Sequence, residues 1–184
     1  MKEKLLIFKD EEYTVKTTIN ILAILMIFGA IFGFVYETIF YRIDLGYFTK
    51  RGSTFGPWIP IYAFGSLFII LISYRYKSNP VLVFILNCLA TGVLEYLTGW
   101  FLLKFLNIRL WDYNTEIWNF GNINGFICLR SVLFFGISGL ILVYFLIPLT
   151  KKIYNKVPEK ISNIVIMALS TLFVLDIILY FLIK

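Results

Sequence analysis

The chain contains no histidine, and this absence excludes several kinds of chemistry. Ser-His-Asp and Cys-His catalysis both depend on an imidazole base. Zinc sites that use histidine ligands are excluded for the same reason. No G-x-x-x-x-G-K-[ST] motif occurs, so the chain has no P-loop of its own for ATP. These absences favour a function other than catalysis, and we expect no cofactor and no bound metal.

Cysteine is also scarce, with only Cys88 and Cys128 in 184 residues. Both lie in apolar segments. On a helical reading they differ in membrane depth by roughly 15 Å, at ~1.5 Å of rise per residue, which is beyond the reach of a disulfide. We therefore expect two buried free thiols.

Charged residues make up only 15% of the sequence, and hydrophobic residues make up 60%. Soluble domains average about 25% charged and 45–50% apolar residues. The composition predicts an all-α, polytopic membrane helix bundle. The lipid bilayer is then one of its partners. Its length allows about five spans of ~20 residues. The net charge of +6 comes from short loops between apolar runs, so we expect no nucleic-acid partner.

The apolar runs divide the chain into an N-terminal segment, 1–17, and a transmembrane domain, 18–184. The predicted spans are 18–40, 57–74, 80–103, 126–149 and 161–183. The second span opens with Pro57 and Pro60. Proline fits the first turn of a helix, but these two prolines also suit a short re-entrant turn that protein must bury.

The distribution of lysine and arginine predicts the orientation of these spans. With the N-terminus inside, the inner segments hold ten basic residues and the outer segments hold six. The positive-inside rule therefore favours a cytoplasmic N-terminus. All four tryptophans then lie on the outer side, as an aromatic belt would.

The first four spans suggest a two-helix tandem repeat. Gly29, Gly33 and Glu37 are spaced by four residues, so they share one helical face. Glu95 lies on a similar small-residue face in the third span. Each of these helices is followed by an outer loop and then by a glycine-rich entry to the next helix.

Four charged residues lie within the predicted spans: Glu37, Glu95, Arg130 and Asp176. Such residues are rare in membranes and are usually functional or paired. All four fall in the outer halves, which predicts a polar cavity open to the outside that binds a substrate or an ion. In the structural alternative, Glu95 and Arg130 form a buried pair that fixes helix register. Glu37 is also close enough to the interface to be solvated, and Asp176 has a structural reading as well.

Two further candidates lie in loops. Arg51 opens the junction that leads into the second span. Asp112 belongs to the Trp111-Asp112-Tyr113-Asn114 unit of the longest loop, 104–124. Asp112 either caps the backbone of an interfacial turn or reaches inward from a lid over the cavity.

The sequence resembles a family of bacterial membrane proteins, the CmpB-type ABC-transporter type IV permeases, over roughly residues 20–150. The residues that carry the resemblance are Glu37, Gly56, Pro57, Pro60, Tyr62, Gly65, Glu95, Thr98, Gly99, Trp111, Tyr113, Asn124, Gly125 and Ile127–Leu129. Three positions depart from the family pattern: Ala63, Asn114 and Phe135.

The resemblance implies a transport subunit in the bacterial cell membrane, partnered by a separate ATPase subunit or by copies of itself. On this hypothesis Glu37, Arg51, Glu95, Asp112 and Arg130 contact the substrate. The alternative hypothesis is a membrane-embedded enzyme or binding protein that acts on lipid-linked or cell-envelope substrates at the outer leaflet. It is favoured by the clustering of polar motifs on one side of the membrane.

Overall fold

The computed structural model describes residues 6–8 and 13–183, and the described residues contain helices but no strand. The five main helices are α1 (Val15–Leu45), α2 (Pro60–Ser73), α3 (Pro80–Leu106), α4 (Leu129–Tyr154) and α5 (Glu159–Ile183). A 3₁₀ turn, Tyr74–Tyr76, extends α2, and α4 contains a π-helical stretch, Leu142–Leu146. The predicted all-α bundle is confirmed.

Four of these helices, α1, α3, α4 and α5, are long and apolar enough to cross a membrane. The helix at the second predicted span, α2, is shorter than the other four. It begins at Pro60, whereas the prediction placed its start at residue 57. Pro60 occupies the first helical position, where its missing N–H breaks no helical hydrogen bond. Pro57 belongs to the irregular segment before the helix.

Local sequence signals account for several of the helix ends. The Thr14 side chain accepts a hydrogen bond from the Thr17 amide at 3.2 Å, which caps α1. At the other end, Gly46 adopts the left-handed conformation with φ of 80°, and α1 stops there. The Asn79 side chain caps α3 in the same way as Thr14, through the amide of Leu82 at 3.1 Å.

The helices run alternately up and down, so the bundle has two distinct ends. We call the end that holds Lys16, Lys77, Lys151 and Lys160 the basic end. Side chains join the helices there: Lys16 contacts Glu159 at 2.7 Å, and the Tyr144 hydroxyl donates to the Lys77 carbonyl at 2.8 Å. We call the opposite end, which carries residues 46–59 and 107–128, the loop end.

Helices α1 and α4 lie close at the basic end and separate toward the loop end. The close Cα neighbours of α1 in α4 lie along Ile147–Tyr154, and Leu129–Ile141 packs on α3 instead. Across the wider part, aromatic rings fill the gap, and the rings of Tyr36 and Phe134 stack with centroids 3.8 Å apart. The bundle is thus wedge-shaped, and it is most open where the predicted site residues lie.

Apolar packing closes the basic end. Ile21, Leu25, Ile70 and Ile147 are almost fully buried in one cluster. Phe8, from the N-terminal segment, joins this cluster and is only 3% exposed. Residues 1–5 and 9–12 of the predicted N-terminal segment lie outside the described residues.

The irregular segment before α2 packs against α5, where a carboxylate accepts hydrogen bonds from its backbone. Asp176 of α5 accepts hydrogen bonds from the amides of Phe55 at 2.9 Å and Gly56 at 2.6 Å, and from Trp58 Nε1 at 2.6 Å. Lipid offers no such partners, so non-helical backbone at membrane depth must be satisfied by protein. Asp176 therefore has the structural role that the sequence left open.

Both cysteines are free thiols, as predicted, but only one is buried as expected, because Cys88 is partly exposed. Cys128 is buried at the start of α4, and Cys88 packs beside Gly136 in the α3–α4 interface. The helix bounds differ from the predicted spans by a few residues, and most for α1, which runs from Val15 to Leu45, and α4, which runs from Leu129 to Tyr154.

The packing of Gly33 gives a prediction. A Cβ atom at this position would overlap the ring of Tyr62, whereas a Cβ at Gly92 would meet only the Val132 methyl at 3.4 Å. We expect Gly33→Ala to lower stability by about 1–3 kcal/mol, as overpacking does. Gly92→Ala is the matched control and should be neutral or stabilising. The readout is the temperature at which each variant loses its monodisperse peak in detergent. Equal midpoints would contradict the packing described here.

Candidate functional site

Asp176 of α5 lies at the level of Gly33 of α1, one helical turn from Glu37. Two hydrogen-bonded pairs, Lys16–Glu159 and Asn20–Asn163, define the register of α1 against α5. In both pairs the residue of α5 is 143 positions later in the sequence than its partner in α1. Because both helices rise equally, the same offset places Asp176 level with Gly33. Gly33 packs on Tyr62, whose ring lies 5.2 Å from that of Phe135, about one turn along α4 from Arg130.

The first part of the site joins α1 to the segment that follows it. The Arg51 guanidinium donates to Glu37 Oε2 from Nη2 at 3.0 Å and from Nε at 3.2 Å. Both side chains are only 18% exposed. The same guanidinium lies over the ring of Tyr41, 3.4 Å from its centroid. A carboxylate, a guanidinium and an aromatic ring are thus held in one stack.

The second part joins the long loop to α4. Arg130 Nη2 lies 2.5 Å from Glu116 Oε2, and their side chains are 16% and 4% exposed. The Tyr41 hydroxyl also donates to Glu116, on Oε1. The partner of Arg130 is therefore Glu116, and the predicted Glu95–Arg130 pair is replaced by this one. Within the described chain, the buried Nε–H of Arg130 has no acceptor.

The third part joins α3 to the loop and to α4. Glu95 accepts from the Tyr113 hydroxyl at 2.5 Å and bonds to the Ser131 hydroxyl at 3.0 Å. Burial raises the pKa of Tyr113 well above its usual range, and the neighbouring Glu95 carboxylate raises it further. Tyr113 therefore keeps its proton and remains a donor to Glu95.

These contacts form one continuous chain of side chains around the loop end, which we call the polar ring. It runs in the order Glu37, Arg51, Tyr41, Glu116, Arg130, Tyr113, Glu95 and Ser131. Its members come from α1, from both loop-end segments, from α4 and from α3. The ring therefore links the two halves of the proposed tandem repeat. In each half, the glutamate of the first helix is bonded to the segment that follows that helix.

The long loop has a fixed conformation over the polar ring. Asp112 accepts from Arg109 at 2.8 Å and from the amide of Asn114 at 3.0 Å. Gly125 is buried with φ of 74°, and a Cβ there would collide with the side chains of Arg109, Asp112 and Asn114. Only glycine fits this turn, which brings the Gly125 carbonyl to the amide of Tyr113 at 3.0 Å.

A cavity of about 640 Å³ lies inside the polar ring. Its lining includes Glu37, Arg51, Glu95, Glu116 and Arg130, together with many aromatic and aliphatic side chains. The size falls within the range of pockets that hold small molecules, about 300–1,000 Å³. Charged groups of both signs therefore face one cavity with largely apolar walls.

The predicted site residues fall into two groups. Glu37, Arg51, Glu95 and Arg130 line the cavity. Asp112 instead holds the loop backbone, in the capping arrangement that the sequence left open. Their roles toward a substrate remain predictions.

Several structural residues of the predicted motif support the site. Trp111 Nε1 donates to the Phe126 carbonyl at 2.9 Å, and Asn124 Nδ2 donates to the Tyr96 hydroxyl at 3.2 Å. Both contacts fasten the long loop.

Sequence reasoning missed Glu116 and Tyr41. Glu116 lies in a polar loop, where a carboxylate is usually solvated, and Tyr41 looks like an interfacial aromatic residue. The available signal was Arg130 itself, because a buried guanidinium demands an acidic partner.

The helices and the hydrophobic composition define the chain as a multi-pass membrane protein. A family model described as "Putative ABC-transporter type IV" matches residues 24–181, and the chain belongs to that family. The predicted resemblance is thereby confirmed. Comparisons with curated proteins and with solved structures found no match.

The burial of the Arg130–Glu116 pair gives a second prediction. Removing one partner of a buried pair leaves an unpaired charge and costs about 3–5 kcal/mol. We expect Glu116→Ala to be strongly destabilising, and the double variant Glu116→Ala/Arg130→Ala to be more stable than that single variant. Thermal midpoints in detergent measure both effects.

The control for this prediction is the half-exposed pair Arg109–Asp112. Pairs of that exposure are worth about 0–1 kcal/mol, so its double variant should be close to the sum of its single variants. If the two pairs behaved alike, the buried network described above would be contradicted.

Proposed function

We propose that this chain is the membrane subunit of a transport complex, and that the cavity within the polar ring is its substrate site. The observation that carries the proposal is Arg130, whose guanidinium faces the cavity with one buried N–H and no acceptor for it in the described chain. A buried donor without a partner costs about 1–3 kcal/mol. A ligand that draws the Arg130 side chain further into the cavity would give this N–H an acceptor and remove that cost.

The charges around the cavity specify what it accepts. Arg130 offers a donor to an anionic group, while Glu37 and Glu95 offer acceptors to a cationic group. The apolar walls suit a ligand that also has a hydrophobic part. Because the polar ring is braced from several helices, it would keep its geometry when a ligand enters.

The sequence has no P-loop motif, and we propose a separate ATPase subunit as the source of energy. Family membership and the missing P-loop support this assignment. Assembly with further copies of this chain is the alternative architecture.

The test is purification of the tagged chain from its native host in mild detergent, followed by mass spectrometry and an ATP hydrolysis assay. We expect a P-loop ATPase in stoichiometric amount and ATP hydrolysis by the complex. We expect Arg130→Gln to change the stimulation of hydrolysis by substrate, and the exposed Lys160→Gln to leave it unchanged. A homo-oligomer without ATPase, with no effect of Arg130→Gln on uptake of any solute or lipid, would overturn the transport assignment and favour the enzyme or binding alternative at the outer leaflet.

We further propose that the N-terminus lies in the cytoplasm and that the loop end faces outward from the cell membrane. The support is the concentration of lysine at the basic end.

Labelling of intact cells with a membrane-impermeant maleimide tests this orientation. Tyr47→Cys at the loop end should react, and Ser78→Cys at the basic end should react only after lysis, since both positions are exposed. The unsubstituted chain controls for labelling of its own two thiols. The reverse pattern would overturn the orientation.

A further inference from the structure

A second, apolar space adjoins the cavity in the wedge between α1 and α4. It measures about 150 Å³, and we call it the lateral groove. Its floor is made by Gly65 and Ser66 of α2, and its walls by Phe28 and Phe32 of α1 and by Ile141 and Phe145 of α4. The four wall residues are between 40% and 61% exposed, so the lateral groove opens on the lipid-facing side of the bundle.

The lateral groove and the cavity share a wall. Tyr62, Phe134 and Phe135 line both spaces. A molecule that lay along this wall would place one end in the polar ring and the other end at the bilayer. The two spaces are therefore neighbours on either side of one aromatic wall, with charged groups on the cavity side and apolar groups on the groove side.

The floor of the lateral groove is open at Gly65. A Cβ added to this glycine would have no neighbouring atom within 4 Å, whereas a Cβ at Gly29 on the facing helix would overlap the side chain of Ser66. Gly29 is therefore a packing glycine. No close contact requires a glycine at Gly65. The absence of a side chain at this position instead leaves open volume in the lateral groove.

We propose that the ligand of this protein is a zwitterionic membrane phospholipid. This inference rests on the proposed substrate site and names the class of substrate. The phosphate lies beside Arg130 and accepts from its Nε–H, and the ammonium lies toward Glu95 and Glu37. One acyl chain leaves the cavity past Phe134 and lies in the lateral groove over Gly65.

Three observations favour a lipid over a water-soluble solute. The charges in the cavity have both signs, as a phosphate and an ammonium require. The cavity adjoins an apolar groove across Tyr62, Phe134 and Phe135, and a small polar solute would leave that groove unused. The exit of that groove faces the surroundings in which phospholipids reside, so a lipid can enter sideways without crossing the fixed loop.

The test uses the full chain, delipidated in detergent and then mixed with vesicles of phosphatidylethanolamine, phosphatidylglycerol and diacylglycerol in equal amounts, all with the same acyl chains. The protein is re-extracted, and retained lipid is counted by native mass spectrometry. We expect one phosphatidylethanolamine per chain. Arg130→Gln should abolish the preference for phosphatidylethanolamine over diacylglycerol.

Gly65→Leu fills the lateral groove, and we expect roughly a tenfold loss of retained lipid, which corresponds to about 1.4 kcal/mol. Ala168→Leu, on the exposed surface of α5, is the matched control and should retain lipid like the unsubstituted chain. If Gly65→Leu is not monodisperse, Ser138→Leu on the opposite wall replaces it.

Equal retention of the three lipids by the unsubstituted chain, or unchanged retention by Gly65→Leu, would overturn the inference. Neither outcome depends on an ATPase. An ATPase complex without lipid retention would refute the lipid and leave the transport assignment standing. Lipid retention by a chain that purifies without an ATPase would support the lipid ligand and refute the assignment to an ATPase-driven transporter.

Discussion

Lipid supplies no hydrogen bonds, so irregular backbone and charged groups inside this bundle depend on partners in the protein. The Asp176 carboxylate accepts hydrogen bonds from the irregular backbone at the amides of Phe55 and Gly56. That support allows α2 to begin late, at Pro60, below an extended segment that holds Arg51.

The polar ring obeys the same constraint with charged groups. Glu37 and Glu116 each have a guanidinium partner, and Glu95 has two hydroxyl partners. Pairing makes these charges tolerable in an apolar bundle, yet it leaves one donor of Arg130 unused. Aromatic packing at Tyr36 and Phe134 spans the gap between α1 and α4 and leaves a cavity on one side and the lateral groove on the other.

Much of the fold could be predicted from sequence, because span length, glycine spacing and helix-capping residues act locally. Glu37, Glu95 and Arg130 were recognisable because charge within an apolar run is conspicuous. The partner of Arg130 was not predictable, since Glu116 reaches it only after the long loop folds over the bundle. The start of α2 was also missed, because the anchor of the preceding segment, Asp176, is 120 residues away from Gly56.

An experimental structure of the full chain in phosphatidylethanolamine nanodiscs tests the central claim most directly. That claim is that the polar ring encloses a ligand site and does not serve only to hold the helices together. The account predicts continuous density that begins within hydrogen-bond distance of Arg130 Nε and passes Phe134 into the lateral groove. A closed wedge, with Arg130 Nε bonded to a protein acceptor and no density beside Gly65, would contradict it.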